Sequence, residues 1–444
     1  MLLNAADKAL WRLALPMIFS NITVPLLGLV DTAVIGHLDS PVYLGGVAVG
    51  ATATSFLFML LLFLRMSTTG LTAQAWGAKD PQRLARALVQ PLALALGAGV
   101  LIILLRLPLI DLALHIVGGS EAVLEQARRF LEIRWLSAPA SLANLVLLGW
   151  LLGVQYARAP VILLVVGNLL NIVLDLWLVM GLRMNVQGAA LATVTAEYAT
   201  LIIGLLMAKR VLTLRGVSLA MLKNAWRGDL RRLLALNRDI MLRSLLLQLC
   251  FGALTVFGAR LGSDIVAVNA VLMTMLTFTA YALDGFAYAV EAHSGQAYGA
   301  RDGSQLLEVW RAACRQSGMV ALAFALIYSL AGQYIIALLT SLPSLQQLAD
   351  RYLIWQTILP VVGVWCYLLD GMFIGATRGA EMRNSMAVAA AGFAVTLLTL
   401  PVLGNHGLWL ALAVFLSLRG LSLAVIWHRH WRNNTWFPAP HDIS

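Results

Sequence analysis

Apolar runs of twenty residues and more, broken by short polar stretches, follow one another along almost the whole chain. A helix needs about 20 such residues to cross the hydrocarbon of a bilayer. The in–out alternation of a membrane β-barrel is absent. The longest charge-free runs are Gln316–Ala349 and Asn384–Leu418. The second must hold two spans, because about 35 residues exceed one crossing and Pro401-Val-Leu-Gly-Asn-His406 supplies a turn. The pattern predicts spans at 11–35, 44–72, 88–117, 130–154, 159–182, 187–208, 238–259, 265–293, 313–339, 350–376, 384–402 and 407–427. These are twelve helices, six per half, of an all-α integral membrane protein.

The halves echo each other. Gln74-Ala-Trp-Gly-Ala-Lys-Asp80 reappears as Gln296-Ala-Tyr-Gly-Ala-Arg-Asp302, an offset of 222 positions in a chain of 444. Gly149 and Gly153 recur as Gly371 and Gly375 at that offset, and His37-Leu-Asp-Ser40 has a weaker counterpart in Arg260-Leu-Gly-Ser263. Such a repeat reads as duplication and fusion, and in a membrane protein paired halves point to a transporter with a site between or within them. The expected organisation is an N-terminal lobe at 1–212 with helices one to six, a linker at 213–236, and a C-terminal lobe at 237–444 with helices seven to twelve.

Composition agrees: 60% of residues are hydrophobic, 12% charged, and mean hydropathy is +0.83. Soluble domains carry about twice that share of charge. The net charge of +10 lies in short loops rather than a separate basic domain, so no nucleic-acid partner is expected. With alternate loops on opposite sides, 22 of the 31 Lys and Arg fall at the termini and in even-numbered loops, and seven in odd-numbered ones. Arg65 and Arg419 are left inside spans. The positive-inside rule then makes both termini and the linker, roughly Lys209–Arg243, cytoplasmic. Nothing suggests a removed signal peptide. Cys250, Cys314 and Cys366 read as small apolar residues in or beside spans, and His37, His293 and His406 are scattered, so neither a structural metal nor a cofactor is expected. The repeated Gly-Ala-Lys/Arg-Asp loops have no preceding strand and no Walker pattern. They read as tight turns that anchor helices at the headgroups.

Ionisable side chains inside a bilayer cost roughly a few kcal/mol each and call for a reason. The first half has Asp31 in its first helix, Asp175 in its fifth and Glu197 in its sixth. The fifth also carries Asn168 and Asn171, and spacings of three and four put Asn168, Asn171 and Asp175 on one face. A helix with such a stripe must turn it toward protein or a wet cavity. Interhelical glue accounts for amides such as Asn168 and Asn144, but glue rarely requires a carboxylate. A carboxylate withdrawn from water, near a second one, can bind and release a proton near physiological pH. Pro16 and Pro25 in the first helix are ready bends, either static kinks or a hinge responding to protonation of Asp31. In the second half the matching positions are apolar. That half has Asp284 and Glu291 in the eighth helix and Asp370 in the tenth, with Glu291 near a span end where water can reach it. Asp284 and Asp370 are secondary candidates.

The chain resembles the multidrug and toxic compound extrusion (MATE) transporters of the DinF-type subfamily over essentially its whole length. The likeness rests on Leu13-Ala-Leu-Pro16-Met-Ile-Phe-Ser-Asn21, Gly28-Leu-Val-Asp31-Thr-Ala-Val-Ile-Gly36, the paired Gln-Ala-Trp/Tyr-Gly-Ala loops, Asn171-x-x-x-Asp175 and Gly188-Ala-Ala-x-Ala192-Thr193. The resemblance implies two six-helix lobes around a cleft, alternating access, and cation entry exchanged for export of organic, often cationic compounds. It implies an ion-coupling site in the N-terminal lobe at Asp31, Asp175, Asn171 and Thr193, a bending proline at Pro16, and a cavity lined by Asn144 with Asn168 and Glu197. The coupling ion is expected to be H⁺, with Na⁺ the alternative at the same four residues. A bacterial inner-membrane monomer is expected, with small organic molecules and lipid as its partners. A flippase for lipid-linked precursors would need several basic residues in its cleft, and an enzyme would need clustered metal ligands or a nucleophile with its base. Neither pattern is present.

Overall fold

A computed structural model describes residues 4–36, 38, 40–228 and 230–437, and gives the backbone alone for 23–33. Among the described residues no strand occurs. Among the described residues twelve long helices carry the architecture: α1 (Ala5–Gly36), α2 (Pro41–Gly77), α3 (Pro81–Leu104), α4 (Glu121–Gly153), α5 (Arg158–Gly181), α6 (Asn185–Leu214), α7 (Leu230–Arg260), α8 (Ser263–Ala300), α9 (Gly303–Leu339), α10 (Pro343–Gly375), α11 (Gly379–Leu403) and α12 (Asn405–Arg432). Among the described residues, α2 to α12 are each long and apolar enough to cross a membrane, and α1 has 32 residues. This is an all-α, multi-pass membrane protein.

The helices overshoot the apolar runs. At 1.5 Å per residue, the 38 residues of α8 reach about 57 Å, against a hydrocarbon thickness of about 30 Å. Hydropathy marks only the stretch that lipid surrounds, whereas caps decide where a helix ends. Ser40, Asp80, Ser120 and Asp302 accept backbone N–H bonds ahead of α2, α3, α4 and α9. The third span differs from its expected course at 88–117. α3 stops at Leu104 and a separate helix covers Arg106–Val117, because Pro108 has no N–H to offer the Leu104 carbonyl.

The sequence repeat is a repeat of backbone geometry. Lys79 and Arg301 take left-handed φ values of 54° and 56°, and Gln155 and Thr377, also one offset apart, take 62° and 54°. Each repeated loop thus ends one helix on a left-handed basic residue and starts the next on a capping aspartate. Of the weaker echo, His37 and Asp39 lie outside the described residues.

The repeated glycines let helix backbones meet. A Cβ on Gly149 would stand 2.6 Å from the Arg65 carbonyl oxygen of α2, and one on Gly371 would stand 2.7 Å from the Ala287 oxygen of α8. Gly153 and Gly375 are equally confined, against Thr72 and Gly295. Small residues are how helices pack tightly where lipid gives no hydrophobic drive. Gly149→Leu and Gly371→Leu should each lower the melting temperature of the detergent-solubilised protein by several degrees. Gly97→Ala, with nothing within 4 Å of its Cβ, should be neutral or gain up to about 1 kcal/mol of helix propensity. Equal melting temperatures for all three would remove the packing argument.

The chain forms two compact units. One is Ile22–Leu234; the other joins the chain up to Asn21 to everything from Ala235 onward. In the second unit the start of α1 is held by Arg315 donating to Asp7 at 2.9 Å, Trp11 Nε1 donating to Gln316 at 2.9 Å, and Asn21 donating to the Tyr281 carbonyl at 3.2 Å. The helix is continuous through Pro16 and Pro25 and changes unit between them. Each unit has its own buried core, around Trp150 in the first and around Trp409 and Phe415 in the second. Cys250 and Cys366 are buried and Cys314 half-buried, all three free.

Candidate functional site

The fifth helix supplies the central feature of the Ile22–Leu234 unit. Asn171 and Asp175 are 2% and 1% exposed, and Asn168 is half-buried on the same face. Val165, Leu169 and Val173 on the opposite side are exposed, the apolar face that a bilayer would cover. The polar stripe therefore faces protein, as its cost in hydrocarbon requires. Directly after Asp175 the helix widens into a π-helix over Leu176–Gly181, with Leu182 N–H bonding the Trp177 carbonyl five residues back at 2.9 Å. Such segments are uncommon and gather at functional sites. A Cβ on Gly188 would sit 3.1 Å from the Leu178 carbonyl oxygen, so glycine lets the start of α6 lie against the widened turn without either backbone giving way.

That close approach brings α6 to the polar stripe. Asn171 Nδ2 donates to Thr193 Oγ1 at 3.4 Å, and the Thr193 hydroxyl donates in turn to the Ala189 carbonyl at 3.2 Å. Asn171 Oδ1 is buried with no hydrogen-bond partner among the described residues. Asn171 thus meets the half-buried Thr193, and Asp175 stands one turn further along the same face of α5. The side chains of Asp31 and Pro25 lie outside the described residues. Pro16 is half-buried within α1.

A second polar group stands further along α6. Asn144 Nδ2 donates to the Glu197 carbonyl at 3.1 Å and to its carboxylate at 3.0 Å. Arg134 lies 4.0 Å from the other Glu197 oxygen and donates to Ser137. Asn144 and Glu197 are hydrogen-bonded to each other, and Arg134 beside them was not among the expected site residues. Its place inside the fourth apolar run was the signal for it.

The second unit holds a different arrangement. Asp370 Oδ2 accepts hydrogen bonds from Arg419 Nη2 at 2.7 Å and from Arg243. All three residues are buried, and Arg419 also feels the charge of Asp284. Asp370 is therefore not an unengaged carboxylate. Arg243, assigned by the sequence to the cytoplasmic linker, is instead a buried residue of α7, five positions inside the seventh apolar run. Glu291 is likewise not at a wet helix end: it is 2% exposed, because α8 continues nine residues past it to Ala300.

Comparison with known proteins agrees with this architecture. The profile of the MatE family matches residues 16–177 and 240–403, one match in each half. The chain is 87% identical over 437 residues to DNA damage-inducible protein F of Escherichia coli (strain K12), covering 98% of this chain and 95% of that one. It is 23% identical to the probable multidrug resistance protein NorM of Acinetobacter baylyi, over 96% of each chain. A MATE crystal structure in the bent conformation superposes with a TM-score of 0.83 at 23% identity, covering 97% of this chain and 96% of that one. Matched in both halves and nearly end to end, the chain belongs to the MatE family of membrane transporters.

Proposed function

We propose that the protein is a cation-coupled antiporter of the bacterial inner membrane that exports organic, often cationic or lipophilic toxic compounds by alternating access. The observation that carries this reading is the polar patch of Asn171, Asp175 and Thr193, where a carboxylate 1% exposed is kept inside a membrane protein at a cost that needs a use. Asp31 is the main proton-accepting group, with Asp175, Asn171 and Thr193 its hydrogen-bonding partners, or the ligands of Na⁺ if that ion couples instead. Uptake of the cation discharges the patch, α1 bends near Pro16, and bound compound leaves outward. The multidrug resistance in the name of the NorM relative supports this substrate class. Two of the buried arginines, Arg243 and Arg419, are spent on Asp370, so these two do not supply the unengaged basic wall that a pyrophosphate-bearing lipid substrate would need.

The test is drug-coupled ion flux in proteoliposomes, driven separately by a pH gradient and by a Na⁺ gradient. Proton coupling predicts dye export with the pH gradient alone, collapsing when it is dissipated. Export driven only by Na⁺ would replace the ion and keep the site. Export driven by neither would remove the antiport reading.

A further inference from the structure

The Ile22–Leu234 unit contains a basic pocket that ion-coupled export does not use. It lies where the first three turns of α3 meet the first turn of α7. Arg83, Arg86, Gln90, Pro91 and Arg232 line a cavity of about 80 Å³. A single water needs roughly 10–15 Å³ of such space, so the cavity suits a group of a few heavy atoms such as phosphate. The inter-lobe segment is folded onto this spot rather than loose. Leu219–Asn224 forms a short helix, Ala225 is fully buried, and the buried Gln90 donates to the Trp226 carbonyl at 3.3 Å.

Three guanidinium groups converging on one cavity repel one another, and Arg83 feels the charges of both Arg232 and Arg86. Asp80 offsets them in part, but one of its oxygens is taken by the Gln82 and Arg83 backbone N–H groups at 3.1 and 3.3 Å. Arg86 Nε is buried with no hydrogen-bond partner among the described residues. An unmet buried N–H of this kind is costly, and an oxyanion would both satisfy it and relieve the repulsion. A planar guanidinium fork is the side chain best matched to phosphate. The depth also fits. Arg83 and Arg86 stand five and two residues ahead of the apolar run that starts at 88, about 8 and 3 Å along the helix axis, across a headgroup layer of about 5–7 Å and its outer edge.

We propose that Arg83, Arg86 and Arg232 form a binding site for a phosphate group, either the headgroup of an anionic phospholipid or free phosphate, clamped between α3 and the start of α7. The site is separate from the Asn171–Asp175–Thr193 patch and does not depend on which ion couples transport.

The experiment measures binding to the full-length purified protein by native mass spectrometry and by thermal shift. The probes are phosphatidylglycerol, phosphatidylcholine and inorganic phosphate, each offered separately. Phosphatidylglycerol, but not phosphatidylcholine, should be retained and should raise the melting temperature. R83Q/R86Q should weaken that binding about tenfold or more, since each charged hydrogen bond lost is a large share of a headgroup's affinity. R210Q/R231Q removes the same charge from exposed positions outside the cavity and should bind as wild type does. R232Q alters an exposed residue and gives the same comparison if the double variant does not fold. Stabilisation by inorganic phosphate without phosphatidylglycerol assigns the site to the free ion. Equal losses in R83Q/R86Q and R210Q/R231Q, or no binding of either phosphate source, overturn the proposal.

Discussion

Asp31→Asn and Asp175→Asn, each made alone, are expected to reduce drug resistance and drug-coupled flux to background while the protein still reaches the membrane at its normal level. An amide keeps the volume of the carboxylate and most of its hydrogen bonding, but it cannot carry a charge that a cation neutralises. If the transport cycle is a loading and unloading of that charge, no residual activity survives its removal. Thr193→Val should do less. It deletes the acceptor of one 3.4 Å hydrogen bond from Asn171, worth about 1 kcal/mol, or roughly fivefold in a binding or rate constant. Resistance assays on variants matched for expression decide the matter. Full resistance in either aspartate variant would falsify the coupling role.

Asp370→Asn is expected to fail differently, through folding. Arg243 and Arg419 both donate to one Asp370 oxygen, and all three residues are buried. Removing one partner of a buried ion pair costs about 3–5 kcal/mol, because the other charge is left uncompensated. Here two guanidinium groups would remain with Asp284 as the acidic group still acting on Arg419, so the cluster gains a net positive charge. Asp370→Asn should therefore lower the melting temperature and the yield of monodisperse protein in detergent. The double variant Arg243→Met/Asp370→Leu restores charge balance, since Arg419 keeps the opposing charge of Asp284, and apolar replacement of a buried pair is often neutral. It should recover most of the stability. A normal melting temperature for Asp370→Asn would mean that the pair does not bear on folding. Loss of transport with normal stability would move Asp370 into the transport machinery.

The same substitution at two buried aspartates thus separates two roles, and the sequence alone could not have done so. Both residues appear in one dimension as acidic positions in apolar runs. Asp175 stood out because Asn168 and Asn171 share its helical face, a pattern of local spacing. Asp370 has its partners 127 and 49 residues away, and no periodicity within α10 reports them. Arg243 and Arg134 were lost among the loop charges for a related reason. Counting basic residues by loop assigns a residue near a span end to water, whereas helices that outrun the bilayer let a neighbouring helix bury it. Glu291 was misplaced by the same assumption about where α8 ends.

What the sequence determined by itself is whatever rests on local chemistry and on the bilayer as solvent. The apolar runs give twelve helices, the 222-residue offset gives two related halves, and Asn171 with Asp175 must face protein because hydrocarbon cannot solvate them. Tertiary structure alone decided which distant groups meet. It grouped the first 21 residues with the second half of the chain and widened α5 into a π-helix after Asp175. It also locked Asp370 between two arginines and gathered Arg83, Arg86 and Arg232 around one cavity. The physical reason is that burial and hydrogen-bond valence inside a lobe belong to the packed helices together. A charge is satisfied by whatever neighbour the fold delivers, and spacing along one helix carries no record of that neighbour.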